Sequence, residues 1–174
     1  MTARRRFLKF GLAGAVLLAA AGAVRAQRNY RAADGRAPLE ALTEADREVL
    51  AAVTPAILAG TAAAGATGDA GLAAAIGSVD RAVAGLPPHL QAEVRQLLAL
   101  LASWPGRRWV AGVGAPWAVA SREEVTAFLE RWRFSRWALL QQGYQALHDL
   151  VLAAWYARPD SWPAIGYPGP PEVR

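Results

Sequence analysis

The sequence of 174 residues contains no cysteine, one lysine and two histidines, His89 and His148. The absence of cysteine excludes disulfide scaffolds, thiol nucleophiles, and zinc or iron–sulfur sites that need thiolate ligands. Two isolated histidines offer little for a transition-metal site. Glycine-rich phosphate loops and the Gly-x-Ser-x-Gly nucleophile motif are also absent from the sequence. We therefore expect no catalytic residues, no metal and no cofactor bound by this chain itself.

Positive charge is concentrated at the N-terminus. The chain has 19 Lys and Arg against 14 Asp and Glu, a net charge of +5. The first 25 residues hold five of the cations and no acid: Arg4, Arg5, Arg6, Lys9 and Arg25. The other 14 cations balance the 14 acids. The remainder of the chain has no excess of cations, which argues against binding to nucleic acid or to an anionic membrane.

The N-terminal segment is typical of a twin-arginine export signal. A basic stretch precedes an apolar run from Phe10 to Val24, and Val24-Arg25-Ala26 follows. The export consensus Arg-Arg-x-Phe-Leu-Lys is matched by Arg4, Arg5, Phe7, Leu8 and Lys9. About 15 apolar residues form a helix of roughly 22 Å, short of the ~30 Å hydrocarbon core of a membrane. We expect transport by the twin-arginine translocase, cleavage after Ala26 and a periplasmic location. The alternative is an uncleaved signal that holds the protein at the inner membrane.

Helical patterns begin after residues 27–42, which are polar, aperiodic and expected to be a flexible tether. Thr43 is a candidate N-cap of a first helix, which Pro55 should kink or divide. A second helix is expected from about Asp69 to Val83, followed by Gly85. Pro87-Pro88 then opens a third helix.

The second half of the chain shows the same periodicity. Residues 104–120 contain several Gly and Pro and predict an irregular or short-helical segment. Ser121 and Glu124 form a capping box, and a helical pattern then continues to Tyr156, with a bend expected near Phe134-Ser135. Because no segment alternates apolar and polar residues with period two, we predict an all-α domain over residues 43–158. It should be an irregular bundle of four to five helices.

Two clusters of polar side chains have a structural and a functional interpretation. Tyr144, His148 and Asp149 could form an acid–base set, but satisfied interior polar groups are the more frequent case. Three arginines accompany two tryptophans at 131–137, which suggests contact with phosphate or nucleic acid. Glu123, Glu124 and Glu130 balance their charge, which favours a solvated face or ion pairs with a partner.

The chain ends in a segment rich in Pro, Gly and aromatic residues. Residues 159–174 are expected to form an extended, polyproline-like arm. The arm could wrap around its own bundle through Trp162 and Tyr167, or it could dock onto a partner, and the two interpretations are compatible.

The C-terminal motifs resemble a known family. They are Ala154-Trp155-Tyr156, then Trp162, then Gly166-Tyr167-Pro168-Gly169-Pro170. Together with the export signal and the helical body, they are similar to the gluconate 2-dehydrogenase subunit 3 family. The strongest likeness covers residues 121–171. Members are small subunits of periplasmic flavin dehydrogenases of the glucose-methanol-choline oxidoreductase type.

The resemblance implies a non-catalytic accessory subunit that binds and co-exports a large FAD-dependent subunit lacking its own signal. FAD would belong to that partner, and the resemblance leaves open whether a cytochrome c subunit joins the complex. The expected partner-binding residues are Trp155, Tyr156, Trp162, Ile165, Gly166, Tyr167, Pro168, Gly169 and Pro170. The alternative is a stand-alone periplasmic module that binds a small apolar ligand between its helices, with Trp104, Trp109 and Trp117 as a lid.

Overall fold

The computed structural model describes residues 38–59, 61 and 68–169, and within them the protein is all-α, as predicted. The five α-helices are α1 (Glu44–Leu58), α2 (Asp69–Ala84), α3 (Pro88–Ala102), α4 (Arg122–Arg133) and α5 (Ala138–Tyr156). A π-helical segment (Gly106–Ala111) and a 3-10 turn (Trp117–Val119) connect α3 to α4, and a second 3-10 helix (Pro159–Ile165) follows α5.

Helix α1 forms the centre of the bundle and contacts the other four α-helices. It begins at the predicted N-cap, where Thr43 and Asp46 form a reciprocal capping box. The expectation that Pro55 divides this helix is wrong, because α1 continues through it to Leu58. Proline removes one backbone hydrogen bond. The fully buried side chains of Val53 and Leu58, on either side of it, hold both halves in the core.

The packed domain starts before the predicted boundary at Thr43. Asp80, in the middle of α2, accepts hydrogen bonds from the backbone N–H groups of Glu40 (2.7 Å), Ala41 (3.0 Å) and Leu42 (2.9 Å). Leu42 is itself buried in the core. The last residues of the segment that we expected to be a flexible tether are therefore fixed to α2.

The segment between α3 and α4 is irregular, as predicted, and tightly packed. A Cβ atom at Gly106 would lie 1.8 Å from the carbonyl oxygen of Leu100, so only glycine fits where the π-helical segment begins. Trp117 is buried and its indole N–H donates to the carbonyl of Leu101 at 2.8 Å. This contact ties the 3-10 turn to the end of α3.

Helices α4 and α5 are separate, with the break at 134–137, where a bend was expected. Helix α4 begins with the predicted capping box of Ser121 and Glu124. Helix α5 packs against both α2 and α4. Its inward face is formed by Leu147, Val151, Ala154 and Trp155.

The prediction of a wholly extended C-terminal arm is wrong, because residues 159–165 form a 3-10 helix. Pro159 occupies the first turn, where a missing N–H costs nothing. The hydroxyl of Ser161 donates to the carbonyl of Arg158 at 2.7 Å and reinforces that turn. The following residues, up to Gly169, have no helical structure.

Candidate interaction surfaces

The end of the chain forms a compact element that we call the C-terminal aromatic unit, residues 162–169. The indole N–H of Trp162 donates to the carbonyl of Tyr156 at 2.9 Å, which anchors the unit to the end of α5. The rings of Trp162 and Tyr167 meet edge to face with centroids 5.3 Å apart. The chain reverses at Gly166, where φ is +68°. A Cβ at Gly169 would lie 3.2 Å from the Trp162 ring, so this glycine lets the chain approach it closely.

Arg158 fastens the 3-10 helix to α5. Its guanidinium lies 4.9 Å from the ring centroid of Trp155, and its Nε donates to the Asp160 carboxylate at 3.0 Å. The hydrogen bond from Arg158 lowers the pKa of Asp160 below its ordinary value. The 3-10 helix in which the C-terminal aromatic unit begins is thus fixed to the end of α5.

The nine residues expected to bind a partner fall into different environments. Trp155 is 4% exposed and belongs to the core, so its side chain offers no surface to a partner. Tyr156, Trp162 and Gly169 are half-buried. The exposed members are Ile165, Gly166, Tyr167 and Pro168, while Pro170 lies outside the described residues. The segment therefore wraps its own bundle through Trp162 and leaves Ile165 and Tyr167 accessible.

A second exposed surface lies where α4 ends and α5 begins; we call residues 133–139 the α4–α5 corner. Phe134, Trp137 and Leu139 are 73%, 62% and 77% exposed. The guanidinium of Arg133 lies 5.2 Å from the Phe134 centroid, and that of Arg136 lies 5.4 Å from the Trp137 centroid. Leu139 belongs to the apolar helical pattern of residues 121–156, and periodicity alone does not distinguish this exposed leucine from a core leucine.

A third exposed surface consists of Trp104 and Trp109, whose rings meet edge to face with centroids 5.0 Å apart. The π-helical segment that carries Trp109 is tied to the end of α4. The indole N–H of Trp132 donates to the carbonyl of Val110 at 3.1 Å, and the Arg131 guanidinium donates to that of Ala111. Trp117 is buried in the core. The three tryptophans therefore do not share the surface position that a lid would require.

In the cluster of Tyr144, His148 and Asp149, the first two residues are half-buried and only Asp149 is exposed. His148 Nδ1 and Asp149 Oδ1 are 3.1 Å apart, and the Asp149 side chain is 65% exposed. The expectation of satisfied interior groups is thus wrong for Asp149. In the described part of the chain no three His, Asp or Glu side chains are grouped closely enough to hold a metal ion.

The export signal residues and the cleavage residue Ala26 lie outside the described residues. None of the α-helices within residues 38–59 and 68–169 has both the length and the apolar character needed to cross a membrane. In comparisons with known proteins, no protein-family model, no curated protein and no solved structure matches the chain.

Proposed function

We propose that the protein is a non-catalytic accessory subunit of a periplasmic oxidoreductase. It binds, stabilises and co-exports a large FAD-dependent alcohol or sugar dehydrogenase of the glucose-methanol-choline type. The twin-arginine motif of Arg4 and Arg5 supplies the export signal for both chains. FAD is held by the large subunit, and this chain contributes binding surface.

The observation that carries this proposal is the C-terminal aromatic unit. Ile165 and Tyr167 are exposed, although the backbone that bears them is fixed by Trp162 and Gly169. Tyrosine is enriched among the residues that dominate binding energy at interfaces. A side chain already held in place loses little conformational entropy when a partner covers it. The unit therefore has the properties of a preformed docking element.

The family resemblance supports the identity of the partner. Two of the motifs that carry the resemblance, Trp162 and Gly166-Tyr167-Pro168-Gly169, contain the residues that build this unit. The proposal also explains why a chain without a cofactor motif carries a signal for the export of folded proteins. The cofactor belongs to the co-exported subunit.

A pull-down of the tagged chain from its native host tests the proposal. The expected eluate contains a large second protein and shows flavin absorbance near 370 and 450 nm, rough values for any protein-bound flavin. A colourless eluate that contains this chain alone would refute the accessory role.

A double variant tests the docking element itself. Ile165→Ser with Tyr167→Ser should abolish co-purification of the large subunit and leave the helical circular dichroism unchanged, because both side chains are exposed. Val119→Ser is the matched control, because Val119 is 71% exposed in the 3-10 turn before α4. Undiminished co-purification with the double variant would place the docking site elsewhere.

A further inference from the structure

We propose that the α4–α5 corner is a membrane-contact site, with the surface of a bilayer rich in anionic phospholipid as its ligand. This proposal does not depend on the C-terminal aromatic unit, because the two surfaces share no residue. The inference rests on the exposed apolar side chains and on the charge around them.

The apolar part of the corner projects into solvent. Phe134 and Trp137 lie in the connection between the helices, and Leu139 lies in the first turn of α5. Each of the three exposes more than half of its surface. Tryptophan and phenylalanine side chains partition well into the boundary between headgroups and acyl chains. Their burial there would remove apolar area that folding leaves in water.

The charge of the corner complements an anionic surface. Arg133 and Arg136 are both exposed. The chain after residue 25 has no net charge, but residues 131–148 contain three arginines and no Asp or Glu. The nearby acids Glu123, Glu124 and Glu130 lie on α4, before the corner. Each cation close to an anionic bilayer adds on the order of 1 kcal/mol of attraction.

The geometry brings charge and apolar surface together. The guanidinium groups of Arg133 and Arg136 lie against the rings of Phe134 and Trp137. A ring that enters the headgroup layer would therefore bring an arginine to the level of the lipid phosphates. Guanidinium pairs well with phosphate oxygens through parallel N–H donors.

A bilayer also suits the form of this surface. The corner comprises seven consecutive residues, 133–139, of which only Ser135 is not classed as exposed. A bilayer needs no matching shape, so a few protruding side chains are sufficient for peripheral binding.

The absence of cysteine permits a site-specific test with the full chain. Leu139→Cys is labelled with an environment-sensitive nitrobenzoxadiazole dye and mixed with phosphatidylcholine vesicles, with or without phosphatidylglycerol. The label reports its own surroundings, so binding through the apolar N-terminal segment does not mimic insertion of the corner. Val119→Cys, at an equally exposed position, is the matched control.

The expected result is a shift of the emission at position 139 to shorter wavelength on vesicles with phosphatidylglycerol, with no shift at position 119. Arg133→Gln with Arg136→Gln should lower partitioning about 30-fold, roughly a factor of five per arginine. Circular dichroism of each variant should match the parent chain.

Three results would overturn the proposal. The label at position 139 could stay in water on anionic vesicles, or it could shift equally on neutral vesicles, which would exclude charge recognition. It could also shift only when the large flavoprotein is added without vesicles, which would make the corner a protein interface. The Ile165 and Tyr167 variant tests flavoprotein binding, and the label at position 139 tests membrane contact. Because the two experiments are separate, either proposal can fail without the other.

Discussion

Asp80 is a carboxylate in the middle of α2 that is only 3% exposed and accepts three backbone hydrogen bonds from residues 40–42. A buried carboxylate is stable only when donors replace its lost hydration. Nothing local in the sequence distinguishes Asp80 from a solvated helical acid, because its donors lie about 40 positions away. Its role was therefore invisible to periodicity and capping rules.

We expect Asp80→Ala to destabilise the protein by about 3 kcal/mol, because three backbone N–H groups lose a charged acceptor. Urea denaturation measures the loss, and hydrogen exchange at the amides of residues 40–42 should accelerate. Asp149→Ala, at an exposed carboxylate, should cost less than about 0.5 kcal/mol. Equal midpoints for the two variants would show that the segment before α1 contributes little to stability.

At the scale of elements, the capping signals were reliable and the expectations drawn from proline were not. The capping boxes at Thr43 and Ser121 were predictable, because each involves residues three apart on one helix. The helix through Pro55 and the 3-10 helix after Arg158 were not. In α1, the buried side chains around Pro55 outweigh the missing hydrogen bond, whereas the 3-10 helix is held by contacts close along the chain, such as the Ser161 hydroxyl on the Arg158 carbonyl.

Gly143 shows how closely α4 and α5 pack. A Cβ at this position would lie 2.5 Å from Cζ3 of Trp132, a buried side chain that also bonds to Val110. Gly143→Ala should therefore destabilise the protein by about 1–2 kcal/mol, because overpacking outweighs the gain in helix propensity.

Gly77 is the matched control for Gly143, since the nearest atom to an added Cβ is Nη1 of Arg81 at 3.7 Å. Gly77→Ala should stabilise the protein by about 0.5–1 kcal/mol through helix propensity alone. Thermal or urea denaturation gives both values. A stabilising Gly143→Ala would mean that Trp132 can move away without cost.

At the scale of the whole molecule, the seven tryptophans divide into distinct environments. Trp104, Trp109 and Trp137 are exposed, Trp117, Trp132 and Trp155 are buried, and Trp162 is half-buried. Three indoles therefore belong to the core, and three are exposed at the surface of the described chain.

Iodide quenching of the chain in the absence of a partner tests this division. About three of the seven tryptophans should be accessible in the native state, and all seven should be accessible in urea. Trp137→Phe should reduce the accessible fraction, whereas Trp117→Phe should leave the quenched signal unchanged, because Trp117 is buried. Quenching of all indoles in the native protein would show that the core is not packed as described.

The sequence by itself determined the all-α class, the N-caps Thr43 and Ser121, the start of α3 at Pro88, and the position near Phe134 where the last helical pattern is interrupted. It predicted a bend there, and the structure has two separate helices. These features depend on periodicity and on contacts between residues close along the chain, which a linear pattern records. Only the tertiary structure decided that Trp155 is core, that Leu139 is exposed, and that Asp80 holds residues 40–42. Burial depends on which other helix packs against a given face, and that helix can lie far away in the sequence.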